Sequence, residues 1–265
     1  MHVWNRSKLA VLLSTTALLT APALAQDEEA ITLDQIIIEG ELQERTLQET
    51  QTSVAVYLGE ELDESTDADL YDIIERTPNV QSAFGEQGFS IRGIDQRGDG
   101  GGTGLLINVL VDGISLPSNQ ATFFGPYGTW DLQQVEVLRG PQSTQQGRNA
   151  LAGAIVLETA DPTFEREFKA RGGFGEYQSY DGAFMVNLPI IDDVSAVRLA
   201  FETNKTDGYI ENPTRGEDDF DKQELNSGRA KLRLKPMDNL DMVFGVSYTE
   251  NSGGEDFIAN QFFSA

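Results

Sequence analysis

The side chains of this chain that could do chemistry are carboxylates and arginines. It has no cysteine, and its one histidine is His2. Thiolate and disulfide chemistry, histidine bases, Ser-His-Asp and Cys-His nucleophiles and the usual zinc ligands are therefore closed to everything past the first residues. Carboxylate catalysis needs a pair of acids about 5–9.5 Å apart in a cleft, and the sequence marks no such pair. Asp218, Asp219 and Asp221 could offer oxygens to calcium. Their spacing departs from the EF-hand pattern, so a solvated loop is the better reading and no metal site is assigned. The run from Gly98 to Gly104, GDGGGTG, lacks the Lys-Ser/Thr and the strand-to-helix setting of a phosphate loop, and reads as a flexible loop. Ile91-Arg92-Gly93 and Leu138-Arg139-Gly140-Pro141 put two of the arginines, Arg92 and Arg139, at expected strand ends. Arginine suits a buried, bidentate carboxylate pair; the plain alternative is a surface arginine.

The elements that would position these residues sit on an exported chain. Arg6 and Lys8 precede an apolar run from Leu9 to Leu19, and Ala23-Leu24-Ala25 forms an A-x-A cleavage site before Gln26. The run is short of the roughly 20 apolar residues that span a bilayer, so residues 1–25 read as a signal peptide cut between Ala25 and Gln26. The formal net charge is −24, which excludes nucleic acid as a partner. From Gln26 to Gly100 there are 19 acidic residues against four basic ones. That balance fits solvated surface, or attraction for a basic periplasmic partner.

Past the cleavage site, residues 26–53 form a polar leader interrupted by one β-prone patch, LDQIIIEG, from Leu33 to Gly40. A mixed domain occupies residues 54–160. Val54 to Leu58 reads as a strand. Thr66 offers an N-cap, with Asp67 and Asp69 in the first turn. Leu70, Ile73 and Ile74 follow at helical spacing, and Pro78 stops the helix. Phe89 to Ile91 and Leu105 to Val111 read as strands, Asp112-Gly113 as a tight turn, and Pro126 to Leu132 as a turn or short helix. Val135 to Leu157 is two apolar strands around a Gly/Pro/Ser-rich turn.

From residue 164 to 265 the pattern becomes two-residue alternation. Phe168, Ala170 and Phe174 share one face, Glu167, Lys169 and Arg171 the other. Ala230, Leu232 and Leu234 alternate with Arg229, Lys231, Arg233 and Lys235. Five strands of about nine to eleven residues are expected, the length for tilted membrane strands. Short turns at Pro189–Asp193 and Pro236–Asn239 alternate with a longer acidic loop from Thr206 to Glu224. That arrangement, with arginine-rich inner faces, favours an outer-membrane barrel over a soluble β-sandwich.

Six segments in order resemble the TonB-dependent outer-membrane receptors: LDQIIIEG, SVAVYLGEEL, DLYDIIERTPNV, FSIRGID, NVLVDGI and VEVLRGPQSTQQGRNALAGAIVLETADPT. The resemblance implies an α+β plug domain followed by the start of an antiparallel transmembrane β-barrel. It implies active uptake of a scarce nutrient, most often a ferric siderophore, with haem, cobalamin and glycan as alternative ligands. Its other partners would be TonB with its inner-membrane energising complex, and outer-membrane lipid. The location would be the outer membrane of a Gram-negative bacterium, with the plug on the periplasmic and lumenal side.

By the same resemblance, Asp34, Gln35, Ile36, Ile37, Ile38 and Glu39 form a TonB box, which pairs with TonB as an added strand. Such pairing needs an extended segment with free backbone groups. From the residues alone, the segment could equally be a first strand of the plug's own sheet. Arg92 and Arg139 would face barrel carboxylates and lock the plug. Gln96, Arg97, Asp99, Phe123, Phe124 and Tyr127 would be ligand contacts, with exposed loop as the equal alternative. No cofactor and no enzymatic activity are expected.

Two expectations follow from length. The short run from Gln26 to Leu33 leaves no room for an extra signalling domain, which points to a transporter and not a transducer. Plugged transporters have about 22 strands, so five cannot close, and open edges in lipid cost several kcal/mol for each unpaired backbone group. The chain reads as the amino-terminal part of a receptor, unlikely to transport alone. The alternative is a periplasmic ligand-binding or non-functional plug fragment.

Overall fold

The computed structural model describes residues 36–38, 45–46, 53–65, 70–83, 88–96, 106–116, 128–141, 150–209 and 222–253. Thr66, Asp67, Asp69 and the acidic trio Asp218, Asp219 and Asp221 lie outside them.

Two layers are built from the alternation of apolar residues. Strands β1 (Ile37–Ile38) and β2 (Arg45–Thr46) form a small antiparallel pair. Then come β3 (Val54–Leu58), helices α1 (Gly59–Glu64) and α2 (Leu70–Glu75), and strands β4 (Val80–Ser82), β5 (Phe89–Ile91), β6 (Ile94–Asp95), β7 (Ile107–Val111), β8 (Ile114–Ser115), β9 (Leu132–Arg139) and β10 (Gly153–Thr159). The main plug sheet has the order β3-β9-β10-β7-β8, with only β10 and β7 parallel. A second sheet runs β4-β5-β6.

Alternation divides the main sheet's side chains between its faces. Val135, Val137, Ile155, Leu157, Ile107 and Val109 pack with Leu62 of α1 and with Leu70, Ile73 and Ile74 of α2, forming the main core. Val54, Leu110, Leu138, Ala154 and Val156 make a smaller cluster. Gln134 and Glu136 share the face of Leu138, because they alternate with the core valines along β9. The expected Val54–Leu58 strand, the Leu70 helix and the paired strands around the Pro/Ser-rich turn all form. Helix α1 was not anticipated; Glu60 and Glu61 in its first turn suit the helix dipole. Between Gly128 and Asp131 there is no helix, and the chain enters β9 directly at Leu132.

Two hairpins turn on left-handed residues. Asp112 and Gly113 have φ of 48° and 73° between β7 and β8; Arg92 and Gly93 have φ of 54° and 78° between β5 and β6. Positive φ at both central residues is what a two-residue type I′ turn requires.

The second part of the chain is one antiparallel meander: β11 (Glu167–Phe174), β12 (Tyr180–Ile191), β13 (Ser195–Thr206), β14 (Gln223–Met237) and β15 (Leu240–Gly253). Its five strands match the expected number, but β12 to β15 run longer than expected, at 12, 12, 15 and 14 residues, and β11 is shorter, at 8. The ladder between β14 and β15 continues from Met237↔Leu240 to Gln223↔Gly253. Among the described residues the sheet is open, with β11 and β15 at its edges. Its outward face is apolar: Phe168, Phe174, Phe184, Leu188, Leu199, Phe201, Phe244, Val246 and Tyr248 are all exposed. Its other face carries Ala183, Met185, Asn187, Arg198, Ala200 and Glu202, all buried. An apolar outside and a polar, packed inside are the pattern of a membrane β-barrel wall.

Candidate functional site: the seam between plug and wall

The inward face of the wall grips the plug through cations. Arg198 of β13 holds Asp131, just before β9, by a fork: Nε lies 3.1 and 3.0 Å from the two carboxylate oxygens and Nη2 2.5 Å from the first. Arg198 Nη1 donates to Glu167 of β11 at 3.0 Å. Arg229 of β14 donates to the backbone carbonyl of Trp130. The guanidinium of Arg171 lies 5.3 Å above the Trp130 ring, and Trp130 packs with Ala183, Met185 and Ala200 of the wall. A side chain at Gly128 would run into the Glu202 carboxylate. The segment Gly128–Asp131 is thus held by five wall residues or more.

The pattern repeats along the seam. Lys231 Nζ donates to Thr159 O and Asp161, both at 2.8 Å, and lies 3.5 Å from Asp112. Lys169 meets Asp63 of α1 at 2.7 Å. Arg233 reaches Pro162 O at 3.2 Å and pairs with Asp241 of its own sheet. Asp112 also accepts the Thr159 amide and hydroxyl, which ties the β7–β8 turn to the end of β10. Asn187 of β12 is fully buried and fastens the linker by contacts to Thr163 N, Thr163 O and Glu165 O. Basic side chains alternating along β14 were the sequence signal for this wall. Nothing in the sequence singled out Asp63, Asp112 and Asp131 as the partners of Lys169, Lys231 and Arg198.

The residues singled out from sequence fall as follows. Arg92 is exposed in its turn, and its amide donates to Asn79 O at 2.8 Å. Arg139 donates from Nη1 to Pro78 O at 3.0 Å, while its buried Nε has no partner among the described residues. Arg92 Nη1 lies 3.5 Å from where a Gly140 Cβ would stand, so the two arginine motifs are neighbours. Among the described residues neither arginine has a carboxylate partner. Gln96 is fully buried; its Oε1 accepts the Phe89 amide at 3.1 Å, leaving its side chain no exposed surface for a ligand. Arg97, Asp99, Phe123, Phe124 and Tyr127, the Gly98–Gly104 loop, Ala25, Gln26, Asp34, Gln35 and Glu39 lie outside the described residues.

Of the segment Asp34–Glu39, Ile36 to Ile38 are described. Ile37 pairs with Thr46 and Ile38 with Arg45. Ile38 is fully buried, and Gln134 of β9 donates to the Ile37 carbonyl at 3.2 Å. Ile37 and Ile38 thus pair in the small β1–β2 sheet, apart from the main plug sheet.

A compact mixed sheet pinned against the inner face of an apolar-outside wall defines a plugged outer-membrane barrel protein. Residues 46–154 match the TonB-dependent Receptor Plug Domain family. The chain is 35% identical over 118 residues to the pesticin receptor of Yersinia pestis, covering 44% of this chain and 18% of that one. It is 28% identical to the ferric enterobactin receptor PirA of Pseudomonas aeruginosa, covering 91% and 38%. Among solved structures it resembles the ferric yersiniabactin uptake receptor FyuA of Yersinia pestis, at 26% identity and a TM-score of 0.65, covering 76% of this chain and 32% of that one. The likeness to the ferric-catecholate import receptor Fiu of E. coli, at 21% identity and a TM-score of 0.63 over 78% and 28%, speaks for the fold alone. The chain carries the plug domain of a TonB-dependent outer-membrane receptor and part of its barrel, and spans well under half the length of these relatives.

Proposed function

We propose that this chain serves TonB-dependent uptake of a ferric siderophore across the outer membrane of a Gram-negative bacterium. In this reading residues 26–53 form the leader, 54–160 the plug and 164–265 the first barrel strands. The observation that carries the reading is the seam itself: a plug fastened by ion pairs and hydrogen bonds to the inward face of an apolar-outside wall. The relatives named for ferric enterobactin and ferric yersiniabactin support the ligand class. In lipid the open edges of β11 and β15 must be paired, because unpaired backbone groups there are too costly, so the function is one of the closed barrel.

In this scheme a ligand binds at the outer face, where Arg97, Asp99, Phe123, Phe124 and Tyr127 are the contacts we propose. Asp34–Glu39 pairs with TonB by backbone addition. Arg92 and Arg139, lacking carboxylate partners among the described residues, are set to meet acids elsewhere on the barrel. A match to the vitamin B12 transporter BtuB of Vibrio vulnificus, 26% identical over 77% of this chain, makes cobalamin the competing ligand.

The test is uptake of radiolabelled iron as ferric siderophore, and of radiolabelled cobalamin, by cells expressing the full gene with and without TonB. TonB-dependent iron uptake is expected. Uptake of cobalamin alone would reassign the ligand, and uptake of neither would sink the transporter reading.

A further inference from the structure

The geometry points to Gln134 as the positioning residue that keeps β1, Ile37–Ile38, docked on the plug. Its side-chain amide carries two hydrogens, and both are used. One goes to the Ile37 carbonyl at 3.2 Å, the other to Glu136 Oε1 at 2.9 Å. Gln134 and Glu136 sit two residues apart on β9, on the face turned away from the helices, and both are buried. Glu136 therefore fixes the direction of the amide, and the amide fixes Ile37.

The bond matters because of which atom it occupies. Strand addition consumes backbone carbonyls of the added segment, and the Ile37 carbonyl is one of them. While Gln134 holds it, Ile38 is fully buried and β2 pairs along β1, so pairing of Ile37 and Ile38 from outside has to compete with these contacts. Gln134 thus sets how readily β1 leaves. The consequence for uptake rests on the reading of Asp34–Glu39 as the TonB-pairing segment; the clasp itself does not.

The chain has no cysteine, so Ile38→Cys supplies its only thiol. In outer membranes from cells expressing the full gene, maleimide labelling of that thiol reports undocking. Gln134→Glu keeps the shape but has no hydrogens to donate, and it sets a carboxylate against Glu136. It is expected to speed labelling of Ile38→Cys by about tenfold, the size of one lost buried hydrogen bond, while Val137→Cys, on the helix-facing side of the same strand, stays protected. Glu136→Ala, which leaves the Gln134 amide its bond to Ile37 but frees its orientation, is expected to give a smaller increase. An unchanged rate at Ile38→Cys in Gln134→Glu overturns the proposal. So does a parallel rise at Val137→Cys, which would make Gln134 a residue of the plug's fold. Labelling needs no TonB, so a failure of TonB to bind the segment would count against the functional reading alone.

Discussion

Arg198 and Asp131 face each other across the plug–wall boundary in a forked ion pair, with side chains only 6% and 5% exposed. Asp131 takes a left-handed backbone, φ 59°, a conformation that Asp and Asn tolerate better than other L residues. The bend aims its carboxylate at the wall as the chain turns into β9. Removing one member of a buried pair strands the other charge and costs about 3–5 kcal/mol, whereas removing both is far milder. Arg198→Met is therefore expected to loosen the plug by about that amount, and Arg198→Met with Asp131→Asn to recover most of it. Urea titration of protease cleavage within the plug measures both. Equal loss in the single and double variants would show that the pair does not anchor the plug.

Asn187 makes a second prediction because it is spent on the linker. Its amide serves the backbone of Thr163 and Glu165 and the Thr163 hydroxyl, at distances from 2.5 to 3.1 Å. Asn187→Leu leaves several of these groups unpaired beneath β12, at about 1–3 kcal/mol each. Faster cleavage between residues 160 and 166, with the helix-facing core of the plug still resistant, is the expected result. Cleavage spread evenly over the plug would contradict a role confined to the linker.

Much of this architecture is legible in the sequence because it rests on periodicity. The alternation in β12 to β15 is set by one face meeting lipid and the other the plug, and the spacing of Leu70, Ile73 and Ile74 by one helical stripe meeting the sheet. The seam was half legible. Arg229, Lys231 and Arg233 announce an inward charged face, but an acid such as Asp131 looks like any turn residue until the fold brings β13 to it across 67 positions. Gln96 shows a different limit. A glutamine beside a glycine-rich loop resembles a contact residue, and only the fold shows that it is buried with its Oε1 accepting the Phe89 amide of its own hairpin. The clasp at Gln134 left no trace, since its partner Ile37 lies 97 residues away and offers only a carbonyl.

Facing decides a third prediction. Leu199 points outward from β13 and Ser247 inward from β15, opposite Arg229. An arginine on a lipid-facing strand position costs about 2–4 kcal/mol near the bilayer midplane. Leu199→Arg should therefore lower the fraction of protein recovered in the outer membrane in its heat-modifiable folded form. Ser247→Glu places an acid across from Arg229 and should be neutral or gain a few tenths of a kcal/mol, about the worth of a cross-strand pair. If Ser247→Glu proved the more damaging, the assignment of inner and outer faces would be reversed.

Backbone chemistry at Ile37 separates ligand capture from energy input. Proline there removes an amide hydrogen and fixes φ near −65°, so the residue can no longer donate in a strand ladder. In the full gene, Ile37→Pro is expected to abolish TonB-dependent iron uptake while ferric-siderophore binding to whole cells stays within about twofold of the parent, because Ile37 is not among the proposed ligand contacts. The companion Ile37→Val keeps every backbone group and the apolar side chain, and should transport normally. Side-chain recognition would reduce uptake in both variants; recognition through the backbone spares the valine. Normal uptake by Ile37→Pro would mean that TonB engages this chain somewhere other than Asp34–Glu39.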